Sequence, residues 1–168
     1  APYAEAVGSD AVIPNVARLA DYGYLFEMQI FAGQIEAAMR LVEACPDVTF
    51  VVQHSMMPED LSDTGREAWR AAMKRLAAAR NAYSKLSGLG TFLHANDPQH
   101  IATIVTETTA IFGPERCLYG SNFPIEKLWT DYGSLIKAVK AAIADRPKKD
   151  QRLILHDVAA RLYRITDG

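Results

Sequence analysis

Runs of basic residues are missing from this sequence, and so is any excess of positive charge. Its 18 Lys and Arg stand against 20 Asp and Glu, a formal net charge of −2. A surface built for nucleic acid or for an anionic membrane is therefore not expected. No apolar stretch reaches the roughly 18 residues of a membrane span, and the first residues do not read as a secretory leader. Cysteine is scarce. Cys45 and Cys117 both sit in apolar surroundings, which reads as two buried free thiols in a reducing compartment rather than a disulfide. The expected location is the cytoplasm.

Several chemical schemes are absent as well. No dinucleotide-binding glycine pattern follows the first strand, and no phosphate loop occurs. Ser121 follows a glycine, but no G-x-S-x-G elbow surrounds it. Neither cysteine has a histidine close in sequence, and the four histidines lack the local spacing of a zinc site.

What is present is an ordinary globular composition, 49% hydrophobic and 23% charged over 168 residues, enough for one domain with a sizeable core. The stretch that organises it is Glu115-Arg116-Cys117-Leu118-Tyr119-Gly120-Ser121-Asn122-Phe123-Pro124. An apolar run from Cys117 to Tyr119 stops at Gly120, which permits close backbone approach, and then at Pro124, which ends any ladder. Asn122 projects an amide between them. This is the pattern of a buried parallel strand ending at its carboxyl end, where α/β folds bind ligands.

Further strands are predicted over 24–31, 48–54 and 81–86. Helices are predicted over 14–22, closed by Gly23, and over 34–44, 66–80, 98–112, 131–144 and 150–163. Residues 1–12 read as a loop, and Asp97 is the expected cap of the helix that Pro98 opens. Strand after helix after strand means a parallel sheet with crossover helices, and a (β/α) barrel or part of one is favoured.

Each strand ends in a polar residue that a core does not need: Gln29, His54, Lys85 with Ser87, and Asn122. At the carboxyl ends of consecutive barrel strands these positions converge on a site. His54 shares parity with Phe50 and Val52, so it is expected to point where the barrel interior opens. It reads as a general base, a metal ligand or a donor to a substrate carbonyl, against a core histidine satisfied by a backbone carbonyl. Lys85 could bind a carboxylate or form a Schiff base; pairing with Glu27 across the interior is the preferred reading, with Ser87 nearer the ligand. His94, in a loop, is a further substrate contact. His100 is expected to be solvated, and Glu126 with Lys127 to form a lip of the site or an exposed pair.

In this order and spacing, Phe26-Glu27-Met28-Gln29, Gln53-His54-Ser55-Met56-Met57-Pro58, Lys85-Leu86-Ser87-Gly88-Leu89 and Arg116 to Pro124 resemble the amidohydrolase-related family of TIM-barrel hydrolases. That family includes lactonases of 2-pyrone-4,6-dicarboxylate and of sugars. The run Leu153 to Arg164 is similar to its last helix, and the resemblance covers residues 24 to 165. It implies a (β/α)8 TIM barrel of metal-dependent hydrolase type, of which this chain is the carboxyl-terminal part, one domain over residues 1–168. His54 would match the family's fifth-strand histidine, Gln29 would line the pocket from the fourth strand, and Asn122 would stand where the family has its last-strand aspartate.

Two departures qualify this. The family's opening His-x-His is absent, and a whole barrel needs about 250 residues. An amide at 122 cannot take a proton from water as a carboxylate does. One divalent metal such as zinc, with His54 among its ligands, is implied only if the missing histidine pair completes the set. The expected function is a hydrolase opening a lactone or related cyclic ester of a small carboxylic or sugar acid. His54 and Asn122 would be its catalytic pair, and Gln29, Ser87, Lys85 and His94 would contact the substrate. Gln29, His54, Ser87 and Asn122 are expected at one cavity mouth. A decarboxylase or hydratase on the same barrel is the alternative enzyme. A non-catalytic fragment binding a small acid or a partner chain is the alternative of another class. Four or five strands leave open edges, so Phe50, Val52 and Leu118 are expected to face water unless missing residues or a second copy cover them.

Overall fold

The computed structural model describes residues 6–166. The first part of the loop expected over 1–12 lies outside them. They fall into two compact units that divide between Tyr83 and Ser84. In chain order the first unit contains α1 (Ile13–Ala17), β1 (Leu25–Met28), α2 (Ile35–Ala44), β2 (Thr49–Val52), α3 (Asp63–Ala77) and the start of β3 (Ala82–Leu86). The second contains the rest of β3, then α4 (Pro98–Phe112), β4 (Cys117–Tyr119), α5 (Tyr132–Ala142), α6 (Lys148–Arg152) and α7 (Val158–Tyr163). Hydrogen-bonded strand neighbours follow chain order, β1-β2-β3-β4, which is the order that successive βα units produce.

In the first unit β1 pairs parallel with β2 through Leu25↔Thr49, Phe26↔Phe50, Glu27↔Val51 and Met28↔Val52. Those four rungs end β1 at Met28, so Gln29 lies beyond the strand rather than within it. The predicted helix over 14–22 is instead a short α1 followed by a 3-10 turn, which Gly23 closes at φ 63°. On α2 the apolar stripe buries Ala38, Met39, Leu41 and Val42; on α3 it buries Trp69, Ala72, Met73 and Leu76. Ser62 caps α3, its Oγ accepting from Gly65 N–H at 3.1 Å, and so starts the helix three residues before the expected Arg66. Asn81 Nδ2 donates to Cys45 O at 3.2 Å and Val48 O at 2.9 Å, tying the exit of α2 to the entry of β2.

The second unit pairs β3 with β4 through Ser84↔Cys117, Lys85↔Leu118 and Leu86↔Tyr119. Asp97 caps α4 as expected, accepting from the N–H groups of Gln99 and His100. The buried side of α4, including Ile101, Ile104, Val105 and Phe112, packs with α5, which buries Leu135, Ala138 and Val139. The terminal helix expected over 150–163 forms as one unbroken helical run from Lys148 to Tyr163, though not all of it is α-helix. A π-helical segment, Leu153–Asp157, joins α6 to α7 and packs on β4, with Ile154 turned inward.

One expectation is corrected. Phe50, Val52 and Leu118 are 0%, 0% and 1% exposed in the single chain, so they do not face water. The last three residues of β2 are all buried, and Phe26 meets Phe50 edge-on at 6.0 Å between ring centroids. Neighbouring side chains of the same chain supply the cover.

Both cysteines are buried free thiols, as expected. Burial pushes the Cys117 thiol up to about 12 from an ordinary 9.0, against smaller opposing effects of Arg146 and Arg116. The folded thiol thus keeps its proton where the unfolded one releases it. Its contribution to stability is complete below pH 9 and is lost as pH rises toward about 12. Urea midpoints should therefore fall across that alkaline window, and Cys117→Ala should flatten the fall. An unchanged slope in the variant would remove Cys117 as its source.

Candidate functional site

In the first unit the chain leaves β2 in an unexpected way. His54, Ser55, Met56 and Met57 all have positive φ, at 55°, 50°, 59° and 41°. Four consecutive non-glycine residues in the left-handed region cost roughly 1–2 kcal/mol each. Something outside the run must hold it. The indole N–H of Trp69 donates to Ser55 O at 2.7 Å, and Met57 N–H returns to His54 O at 2.9 Å. His54 is therefore in a turn and not on the strand, and its parity with Phe50 and Val52 does not set its direction. It is half-buried. Exposed Gln29 donates through Nε2 to Met57 Sδ at 3.5 Å, and Gln53 Nε2 donates to the Glu27 carboxylate.

In the second unit Gly120 answers to close approach. A Cβ there would meet Lys85 Cδ at 3.2 Å and Ser87 Cβ at 3.4 Å, so both side chains flank this glycine. Ser87 is 2% exposed. The Lys85 ammonium lies 5.3 Å from the centre of the Tyr163 ring. Asn122, two residues on, sits at φ 54°.

The residue that the sequence does not reveal is Glu126. It is 0% exposed, neither a lip nor an exposed partner of Lys127. Three side-chain donors from two loops converge on it. Its Oε1 accepts from Thr91 Oγ1 at 3.0 Å and from Asn122 Nδ2 at 3.3 Å, and its Oε2 accepts from Trp129 Nε1 at 2.6 Å. Its own N–H donates to Asn122 O at 3.1 Å. His94, at φ 51°, stacks on Trp129 with ring centroids 5.0 Å apart. Lys85, on β3, and Ser87, just past its end, both flank Gly120, while His94 and Asn122, in the loops after β3 and β4, meet around Trp129 and Glu126. The one signal in the sequence is the four-residue spacing of Asn122 and Glu126.

Tyr119 adds to this environment. Burial, then Tyr132, then Glu126 push its hydroxyl up to about 12, and its oxygen is buried with no hydrogen-bond partner among the described residues. Among those residues no three His, Cys, Asp or Glu side chains lie together as metal ligands. The donors present here do not fit a metal by themselves. No helix of the described residues is long and apolar enough to cross a membrane.

Known proteins are similar to this chain in sequence and in fold. Protein y4mH of Sinorhizobium fredii is 34% identical over 147 residues, 88% of this chain and 49% of its own. An L-fucono-1,5-lactonase of Burkholderia multivorans is 29% identical over 164 residues, 91% of this chain and 55% of its own. A crystal structure of an amidohydrolase from Burkholderia multivorans with bound zinc superposes with a TM-score of 0.89 at 26% identity, covering 97% of this chain and 60% of that one. This chain spans about half the length of the curated relatives it matches. The profile of the family described as Amidohydrolase matches residues 2–165, and the chain belongs to that family.

Proposed function

We propose that this chain carries the substrate-facing loops of a hydrolase that opens a lactone of a small sugar or carboxylic acid. The observation that carries the reading is where the backbone is strained. Among the described residues every non-glycine residue with positive φ, except Arg164, lies in a loop that follows β2, β3 or β4: His54 to Met57, His94 and Asn122. Strain of that kind persists where surrounding structure enforces it, and it concentrates at binding and catalytic sites. That these loops end consecutive parallel strands, and that two relatives bear the name L-fucono-1,5-lactonase, supports a lactone in particular.

In this mechanism water adds to the lactone carbonyl, the ring acyl C–O bond breaks as the tetrahedral adduct collapses, and the proton given up by the water ends on the released ring oxygen, leaving a hydroxy acid. His54 hydrogen-bonds the carbonyl oxygen or orients the water, and Ser87 is a second donor toward the developing oxyanion. Asn122 orients the water without removing its proton, since an amide is not a base at neutral pH. Gln29, Lys85 and His94 contact the acid or sugar portion. A metal would need ligands from outside these residues, and no step is assigned to it. The rest of the barrel would come from polypeptide beyond these residues.

The test is a panel of aldono-1,5-lactones given to the full-length protein, with ring opening followed by acid release and repeated after chelation. Opening well above the spontaneous rate is expected for at least one sugar lactone. No acceleration with any lactone, alongside decarboxylation or hydration of a small acid, would replace this reading with the other enzyme class.

A further inference from the structure

We propose that Glu126 is a positioning residue that fixes the Asn122 amide with its nitrogen inward and its oxygen outward, so that Asn122 meets its ligand as a hydrogen-bond acceptor. That the ligand is a lactone or its attacking water rests on the function proposed above; the orientation of the amide does not.

A carboxylate oxygen accepts, and the three side chains aimed at the two Glu126 oxygens are placed to donate to them. Thr91 Oγ1 and Trp129 Nε1 can do so as they stand. Asn122 can do so only through Nδ2, which the structure places 3.3 Å from Oε1. Turning the amide over would set the Asn122 oxygen against a buried Glu126 oxygen. The orientation is therefore enforced by chemistry, and Oδ1 is left for whatever binds.

The same carboxylate prepares a second contact. Its other oxygen holds the Trp129 indole at 2.6 Å, and His94 stacks on that ring. The packing leaves little slack. A Cβ at Gly90 would meet Ala95 O at 2.7 Å, Glu126 Oε2 at 3.0 Å and Trp129 Cδ1 at 3.1 Å. Loops after β3 and β4 are thus joined through one buried charge.

Substitution by glutamine separates positioning from simple support. Glu126→Gln keeps the volume but replaces one acceptor by a donor. If its Nε2 takes the place of Oε2, it opposes the Trp129 N–H, which cannot reverse. If it takes the place of Oε1, the Thr91 hydroxyl can rotate and the Asn122 amide can flip. The second arrangement wins, and it turns Nδ2 outward. Asn122→Asp alone would place two carboxylates at hydrogen-bond distance. In the double variant Glu126→Gln/Asn122→Asp, the introduced amide can donate to the introduced carboxylate, and an oxygen faces outward again.

The experiment labels asparagine side chains with 15N in the full-length protein and measures exchange of the Asn122 Nδ2 protons with solvent. Asn122→Asp identifies the signal by its disappearance. Protected Nδ2 protons are expected in the wild type, with exchange at least about tenfold faster in Glu126→Gln. On whichever substrate turns over, kcat should fall about 100-fold in Glu126→Gln with KM changed less, and recover at least about tenfold in the double variant. Nδ2 protons that exchange in the wild type as in a free amide would overturn the proposal. So would a Glu126→Gln protein that loses stability alone, with exchange and kcat unchanged. Failure of every lactone would leave the exchange result standing and would count against the reaction class.

Discussion

His54→Ala is expected to reduce turnover of the full-length protein by about 10³-fold or more while leaving it folded. The side chain is half-buried at a loop after β2, so little core packing is lost. The backbone supplies the control. At φ 55° alanine is strained and glycine is not, so His54→Gly should be at least as stable as His54→Ala yet equally inactive. Equal loss in both assigns the effect to the imidazole. Should glycine restore turnover, the histidine would be serving the turn. A variant that yields no soluble protein at all would favour a structural histidine.

Trp69→Ala should be among the most damaging substitutions to stability, costing about 3–5 kcal/mol. The ring is 2% exposed on the buried side of α3, so its removal opens a cavity. Its N–H is also the bond that holds Ser55 O, and with it the left-handed run from His54 to Met57. Trp69→Phe separates the two losses. It keeps much of the bulk and strands the Ser55 carbonyl, at about 1–3 kcal/mol. Urea denaturation measures both variants, and turnover of Trp69→Phe below its midpoint shows whether the run has relaxed. If Trp69→Phe matches the wild type in stability and rate, the indole bond is not what holds the turn.

Some of this architecture could be read one residue at a time. Asp97 before Pro98 and Gly113 after Phe112 bound α4, because capping and termination act within a few residues. Cys117 to Tyr119 became β4 for the same reason: an apolar run between Arg116 and Gly120 has few other uses. Gly120 carried its meaning too, since Lys85 and Ser87 do crowd the place where a side chain would go. Of the polar residues read at strand ends, Lys85 lies on β3, Ser87 just past it and Asn122 in the loop after β4.

Other features depend on groups far apart in the chain. Nothing in His-Ser-Met-Met announces a left-handed turn, because none of the four is glycine or asparagine; an indole 14 residues away from Ser55 holds it. β1 stops at Met28 because β2 offers four rungs, though apolar side chains continue to Ile30 and Phe31. Glu126 is the clearest case. A lone acid followed by a lysine reads as solvated, since burying a carboxylate is costly without partners. Its partners are Thr91, Asn122 and Trp129, brought from two loops by the pairing of β3 with β4. Propensity, periodicity and capping are short-range and are written in neighbouring residues. The direction of an amide, the handedness of a turn and the burial of a charge follow from which distant donors the fold delivers.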